Sequence, residues 1–144
     1  MATNELAMRF AAPADRLWAA LTGPELMQLI LETYASKVEI DTSAPGVGTV
    51  VVTTLREGGT VRERMESLDA EERCMRYRVL DAGPLPYANY RGEARVQPCG
   101  PDACVVSFQC SFIPVDMSEA AAKQYWLDHN LHVLTELKRR LEKT

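Results

Sequence analysis

Between Tyr34 and Ile113 apolar and polar residues alternate through six consecutive segments, and the chain then runs from Glu119 to Lys143 without glycine or proline. Alternation with a period of two marks a strand with one dry and one wet face, whereas an uninterrupted run of that length suits a single long helix. The six segments are Tyr34 to Asp41, Gly48 to Arg56, Thr60 to Asp69, Arg73 to Asp81, Ala88 to Gln97 and Ala103 to Ile113. Turn clusters such as Ala44-Pro45-Gly46, Glu57-Gly58-Gly59 and Gly100-Pro101-Asp102 separate them. Glu5 to Phe10 adds a further strand through Leu6, Met8 and Phe10. Pro13 opens a helix over Ala14 to Leu21, Thr22-Gly23-Pro24 stops it, and a second short helix covers Pro24 to Leu31. Ser118 is a good N-cap for the last helix. The fold class is therefore α+β: a seven-stranded antiparallel sheet, two short helices after the first strand, and a long C-terminal helix.

A sheet with one apolar face needs a cover, and only the last helix is long enough to supply one. Leu127, Leu131, Leu134, Leu137 and Leu141 form its apolar stripe, so the sheet is expected to curl around it. Gly92 and Ala94 on the inward sheet face, with Ala120, Ala121 and Ala122 on the helix, fill less space than leucines would. A cavity between sheet and helix is the expected product. On the outer face, Arg76, Arg78, Arg91 and Arg95 are expected to pair across strands with Glu66 and Glu93.

At 144 residues with no linker or repeat, residues 1–144 form one domain. The net charge of -4 argues against a nucleic-acid partner, which is bound through clustered cations. No apolar run is long enough for a membrane span, and the N-terminus lacks the basic start and apolar core of a signal peptide, which points to the cytoplasm. In that reducing compartment Cys74, Cys99, Cys104 and Cys110 are expected to stay thiols, although Cys99 and Cys104 flank one turn. His129 and His132 are expected to be exposed, and no further ligands accompany them, so neither metal nor cofactor is expected. No Ser-His-Asp arrangement, phosphate-cradling loop or carboxylate pair is present.

Three stretches carry a resemblance to a known family. Ala12-Pro13-Ala14-Asp15-Arg16-Leu17-Trp18 with Leu21, then Val61-Arg62-Glu63-Arg64-Met65 with Leu68-Asp69 and Glu72-Arg73, then Gly83-Pro84-Leu85-Pro86-Tyr87-Ala88-Asn89-Tyr90 occur in that order. Together with the element order they resemble the START-like, helix-grip superfamily called SRPBCC. It includes polyketide cyclase/dehydrase-like proteins, birch-pollen-allergen-like proteins and abscisic acid receptors. The resemblance covers nearly the whole chain. It implies that Glu63, Tyr90 and Asn130 face a ligand pocket, with the Glu57-Gly58-Gly59 and Pro84-Leu85-Pro86-Tyr87 loops at its mouth. The receptor branch's pocket lysine is replaced by Ile30 or its apolar neighbours, and its second pocket acid by Cys110, which argues against that hormone as ligand.

Glu63 shares strand parity with Val61 and Met65, a costly position for a charge unless it is paired or partly neutralised. Such a carboxyl can accept a ligand hydrogen bond or act as a general acid/base. Tyr77 and Tyr90 face inward by alternation, Phe108, Cys110 and Phe112 share a strand face, and Asn130 shares a helix face with Trp126 and Val133. The expected ligand-binding set is Glu63, Met65, Tyr77, Tyr87, Tyr90, Phe108, Cys110, Trp126 and Asn130. Glu63 and Tyr90 are the catalytic candidates. The expected function is binding of a small hydrophobic or polycyclic molecule, by a monomer or homodimer. The alternatives are a polyketide cyclase/dehydratase-like enzyme using Glu63, with Tyr90 or Tyr87 polarising a carbonyl, and a co-chaperone or partner-binding module using Leu26, Met27 and Leu29.

Overall fold

The computed structural model describes residues 1–41 and 47–142. The turn expected at Ala44 to Gly46 and the helix end at Lys143 lie outside them. Strand β1 (Ala2–Phe10) leads into α1 (Ala14–Thr22) and α2 (Pro24–Thr33). Six strands follow, β2 (Ala35–Asp41), β3 (Val50–Leu55), β4 (Thr60–Asp69), β5 (Cys74–Asp81), β6 (Tyr87–Pro98) and β7 (Cys104–Pro114), and α3 (Glu119–Glu142) closes the chain. The strands form one antiparallel sheet in the order β1-β7-β6-β5-β4-β3-β2. Successive strands from β2 to β7 pair antiparallel, and β1 adds itself to the far edge beside β7. The expected helix-grip architecture is the one the chain adopts.

The ends of the helices follow local chemistry. The Ser118 hydroxyl accepts a hydrogen bond from the Ala121 amide at 3.1 Å, and Arg139 and Arg140 sit in the last turn of α3, at the negative end of its dipole. Pro24 occupies the first turn of α2, where its missing N–H is not needed. Arg140 reaches Glu32 at the end of α2 and Lys138 donates to the Arg9 carbonyl at 2.5 Å, so α3 is tied at its C-terminal end to both α2 and β1.

The buried side chains fall into two groups. One gathers Phe10, Leu17, Leu29, Val96, Val106, Leu134 and Leu137 under α1, α2 and the C-terminal half of α3. The other gathers Tyr87, Tyr90, Phe112, Ala122 and Trp126 around the N-terminal half of α3. The buried face of α3 is Ala122, Trp126, Val133, Leu134, Leu137 and Leu141. Leu131 is 46% exposed and Ala120 and Ala121 face solvent, contrary to the expected stripe. Anchoring Trp126 against the sheet explains this, because a turn of about 100° per residue carries Leu131 about 140° away from it.

On the outer face Glu93 does pair with Arg76 at 3.6 Å and Arg95 at 3.4 Å, but Glu66 pairs with Arg64 of its own strand at 3.3 Å rather than across the sheet. All four cysteines are free thiols. No helix among the described residues is long and apolar enough to cross a membrane.

Candidate functional site

Between the two core groups lies a cavity of about 690 Å³, walled by the inner face of the sheet on one side and by α2 and α3 on the other. That volume lies within the usual range for small-molecule sites. Ala94 contributes to its floor. Gly92 does not open space in the way its size suggests, since the Tyr77 ring from the neighbouring strand fills the position where a side chain would stand.

Glu63 is the polar centre of the wall. In register its cross-strand neighbours are Val51 on β3 and Val79 on β5, and along β4 it sits between Val61 and Met65. All four border the cavity. Among the described residues no hydrogen bond or ion pair reaches its carboxyl. Protein surrounds the group, and what exposure it has is to the cavity. Burial accordingly pushes its pKa above the ordinary carboxylate value.

Further polar rings border the same space, Tyr34, Tyr77 and His129 among them. Tyr34, at the junction of α2 and β2, packs edge-on against His129 of α3 with ring centroids 4.6 Å apart. Burial holds the phenols of Tyr34 and Tyr77 well above their ordinary range, with the nearby Glu63 carboxylate adding to the effect. Burial, and secondarily His132, lowers the pKa of His129, so its imidazole is neutral at neutral pH.

Tyr90 is tied down. Its hydroxyl accepts a 2.7 Å hydrogen bond from the Trp126 indole, and it also interacts with the Tyr77 hydroxyl. The chain Trp126, Tyr90, Tyr77 therefore runs from α3 across β6 to β5 and positions Tyr77 beside the cavity. Asn130 turns its amide nitrogen back onto the Trp126 carbonyl at 2.9 Å, which leaves its oxygen available at the cavity edge.

Eight of the nine residues singled out from the sequence border this cavity: Glu63, Met65, Tyr77, Tyr87, Tyr90, Phe108, Trp126 and Asn130. Cys110 does not. It lies in the core group formed by Tyr90 and Phe112, with burial pushing its thiol up to about 11. The expectation that His129 is exposed also fails, although His132 is exposed. Three residues after Trp126 and four before Val133, His129 shares their helix face, and that spacing could have placed it. Tyr34 gave no such signal, because it stands where helical and strand periodicity meet. Leu26 and Met27 border the cavity and Leu29 is fully buried, so these three do not form a surface for a partner.

Glycines let the two mouth loops close on each other. A side-chain carbon on Gly59 would stand 2.8 Å from Pro84 Cδ, and one on Gly83 would stand 2.2 Å from the Thr60 carbonyl oxygen. Glu57, Leu85 and Tyr87 from these loops border the cavity. Among the described residues no cluster of three or more His, Cys, Asp or Glu could hold a metal ion.

Residues 1–142 match the family model for polyketide cyclase/dehydrase and lipid transport proteins. The chain belongs to that family. No curated protein matches it in sequence. Its fold is shared with solved structures of low identity. Protein XoxI from Bacillus cereus superposes with a TM-score of 0.80 at 19% identity, covering 98% of this chain and 96% of that one. Norcoclaurine synthase from Thalictrum flavum, solved in complex with dopamine and hydroxybenzaldehyde, gives 0.74 at 22% identity over 96% of this chain and 84% of that one. Zhui aromatase/cyclase from Streptomyces sp. R1128 gives 0.74 at 23% identity over 96% and 94%.

Proposed function

We propose that this family member binds a small, largely apolar molecule in the cavity between sheet and α3, with a hydrogen-bonding group of the ligand at Glu63. The observation that carries this reading is a carboxyl without a protein partner among the described residues, in a wall of Val51, Val61, Met65 and Val79. A buried polar group is costly to leave unsatisfied, and a ligand donor or acceptor relieves that cost. Tyr34, Tyr77 and neutral His129 give the same end of the cavity further groups with which to orient a hydroxyl or carbonyl. The aromatic ligands in the norcoclaurine synthase complex lend support, since their protein shares this fold.

A second reading is favoured by the raised pKa of Glu63, which brings a carboxyl toward the range where it exchanges protons with substrate near neutral pH. In it, the Glu63 carboxylate takes a proton from the carbon between two carbonyls of a polyketide-type substrate, and the enolate oxygen accepts a hydrogen bond from Tyr77 or Tyr34.

Titrations of 1-naphthol and naphthalene into the native chain and into Glu63→Gln separate the readings. Binding predicts a change in naphthol affinity with naphthalene spared. Catalysis predicts in addition that the native chain, and not Glu63→Gln, accelerates deuterium exchange at the central carbon of a β-diketone. Failure of both aromatic compounds to bind would contradict the proposal.

A further inference from the structure

The outer face of the sheet carries a charge pattern that the cavity does not explain. Arg62 and Arg64 on β4, Arg76 and Arg78 on β5, and Arg91 and Arg95 on β6 alternate with inward residues, Arg64 also standing at the border of the cavity, and these three strands contain no lysine. Glu93 neutralises Arg76 and Arg95, and Glu66 holds Arg64. Arg62, Arg78 and Arg91 have no ion pair or hydrogen bond among the described residues. The register makes this arrangement unfavourable, because Arg78 stands directly opposite Arg64 on one side and directly opposite Arg91 on the other. Like charges facing one another across a sheet destabilise it. This row of three arginines occurs in a chain whose net charge is -4.

Two exposed apolar side chains stand at one end of the row. Leu80, two residues beyond Arg78 on β5 and 41% exposed, stands at a register shift between β4 and β5, and Ile113 lies two residues beyond Ser111, the register partner of Arg91, on the arginines' face. Arginine is enriched and lysine depleted at protein interfaces relative to the rest of the surface. An extended polyanion would also meet the acidic remainder of the chain, which disfavours a nucleic acid or a charged bilayer. Neighbouring strands are about 4.8 Å apart, close to the roughly 5–6 Å between side chains one turn apart on a helix.

We propose that the Arg64-Arg78-Arg91 row, with Leu80 and Ile113, is a docking surface for an acidic amphipathic helix of a partner protein. Its apolar end adjoins the β5–β6 connection, whose Leu85 borders the cavity, so a docked partner sits beside the cavity mouth. The surface operates whether or not the cavity binds as proposed above.

The test is an amide-shift titration of the native chain with a synthetic helical peptide bearing glutamate one turn apart and leucine beside it. The expected result is shifts confined to residues around Arg78, Leu80, Arg91 and Ile113, weakened by added salt. The double variant Arg78→Glu with Arg91→Glu should lose affinity by about tenfold or more, with an unchanged inner-face spectrum showing that it folds. A glutamine version of the peptide should bind weakly. Absence of shifts on this face, equal binding by the double variant, or equal binding of the glutamine peptide would overturn the proposal. So would perturbation of the same residues by phosphatidylglycerol vesicles or duplex DNA in place of the peptide.

Discussion

The ring of Tyr77 lies across the α-carbon of Gly92, so close that a side-chain carbon on Gly92 would stand 2.4 Å from the phenol Cζ and 2.6 Å from its hydroxyl oxygen. The two residues are register partners on β5 and β6. Without a side chain at position 92, Tyr77 folds flat against the sheet and reaches Tyr90. Gly92→Ala should therefore drive the ring into the cavity, with a stability cost of about 1–3 kcal/mol and a loss of 1-naphthol affinity. Thermal unfolding and fluorescence titration check this. The double variant with Tyr77→Ala should recover stability relative to the sum of the single changes.

Trp126 offers an optical report on the cavity. Its indole is buried, bonded to Tyr90 and at the cavity wall, whereas Trp18 packs in the other core group and does not border the cavity. Naphthol binding should alter Trp126 emission, and Trp126→Phe should abolish that change. Tyr90→Phe leaves the indole N–H unpaired and should cost about 1–3 kcal/mol, measured by denaturant unfolding.

The pH dependence of stability should reveal Glu63. Its pKa is raised on folding, so relative to an ordinary carboxyl its contribution is fully present below the unfolded value and is lost as pH rises through the folded one. Glu63→Gln should consequently have a higher melting temperature than the native chain at pH 7. Between the unfolded and folded pKa values the gap should widen by about 1.4 kcal/mol for each step of one in pH. The difference should vanish near pH 4. A constant difference across this range would show that desolvation does not control the group.

His129 titrates in the opposite sense. Burial lowers its pKa, so its contribution is present above the unfolded value near 6.5 and is lost as pH falls through the folded one. Imidazole proton shifts should show His129 titrating below the ordinary histidine value, and His129→Gln should lose less stability than the native chain between neutral and mildly acid pH.

The fold was legible because strand alternation and the uninterrupted last helix are local signals, and every strand and helix lies within a few residues of its expected place. The parity argument put Glu63 among Val61 and Met65, as the structure does. What escaped depends on side chains meeting across elements. α3 is turned so that Trp126 packs on the sheet and meets Tyr90, which puts Leu131 outward and His129 at the cavity. Gly92 and Cys110 have the inward parity expected of them, but a neighbouring ring covers one and core packing encloses the other. Parity gives a residue's face and not what stands above it.

The central claim is that an apolar ligand with a hydrogen-bonding group occupies the cavity beside Glu63. Intermolecular nuclear Overhauser effects between 1-naphthol and the isotope-labelled chain test it most directly. The account predicts contacts from the naphthol ring to the side chains of Val61, Met65, Val79 and Ala94, with the Glu63 carboxyl shift moving on binding. Contacts only to outward-facing residues, or none at saturating naphthol, would contradict it.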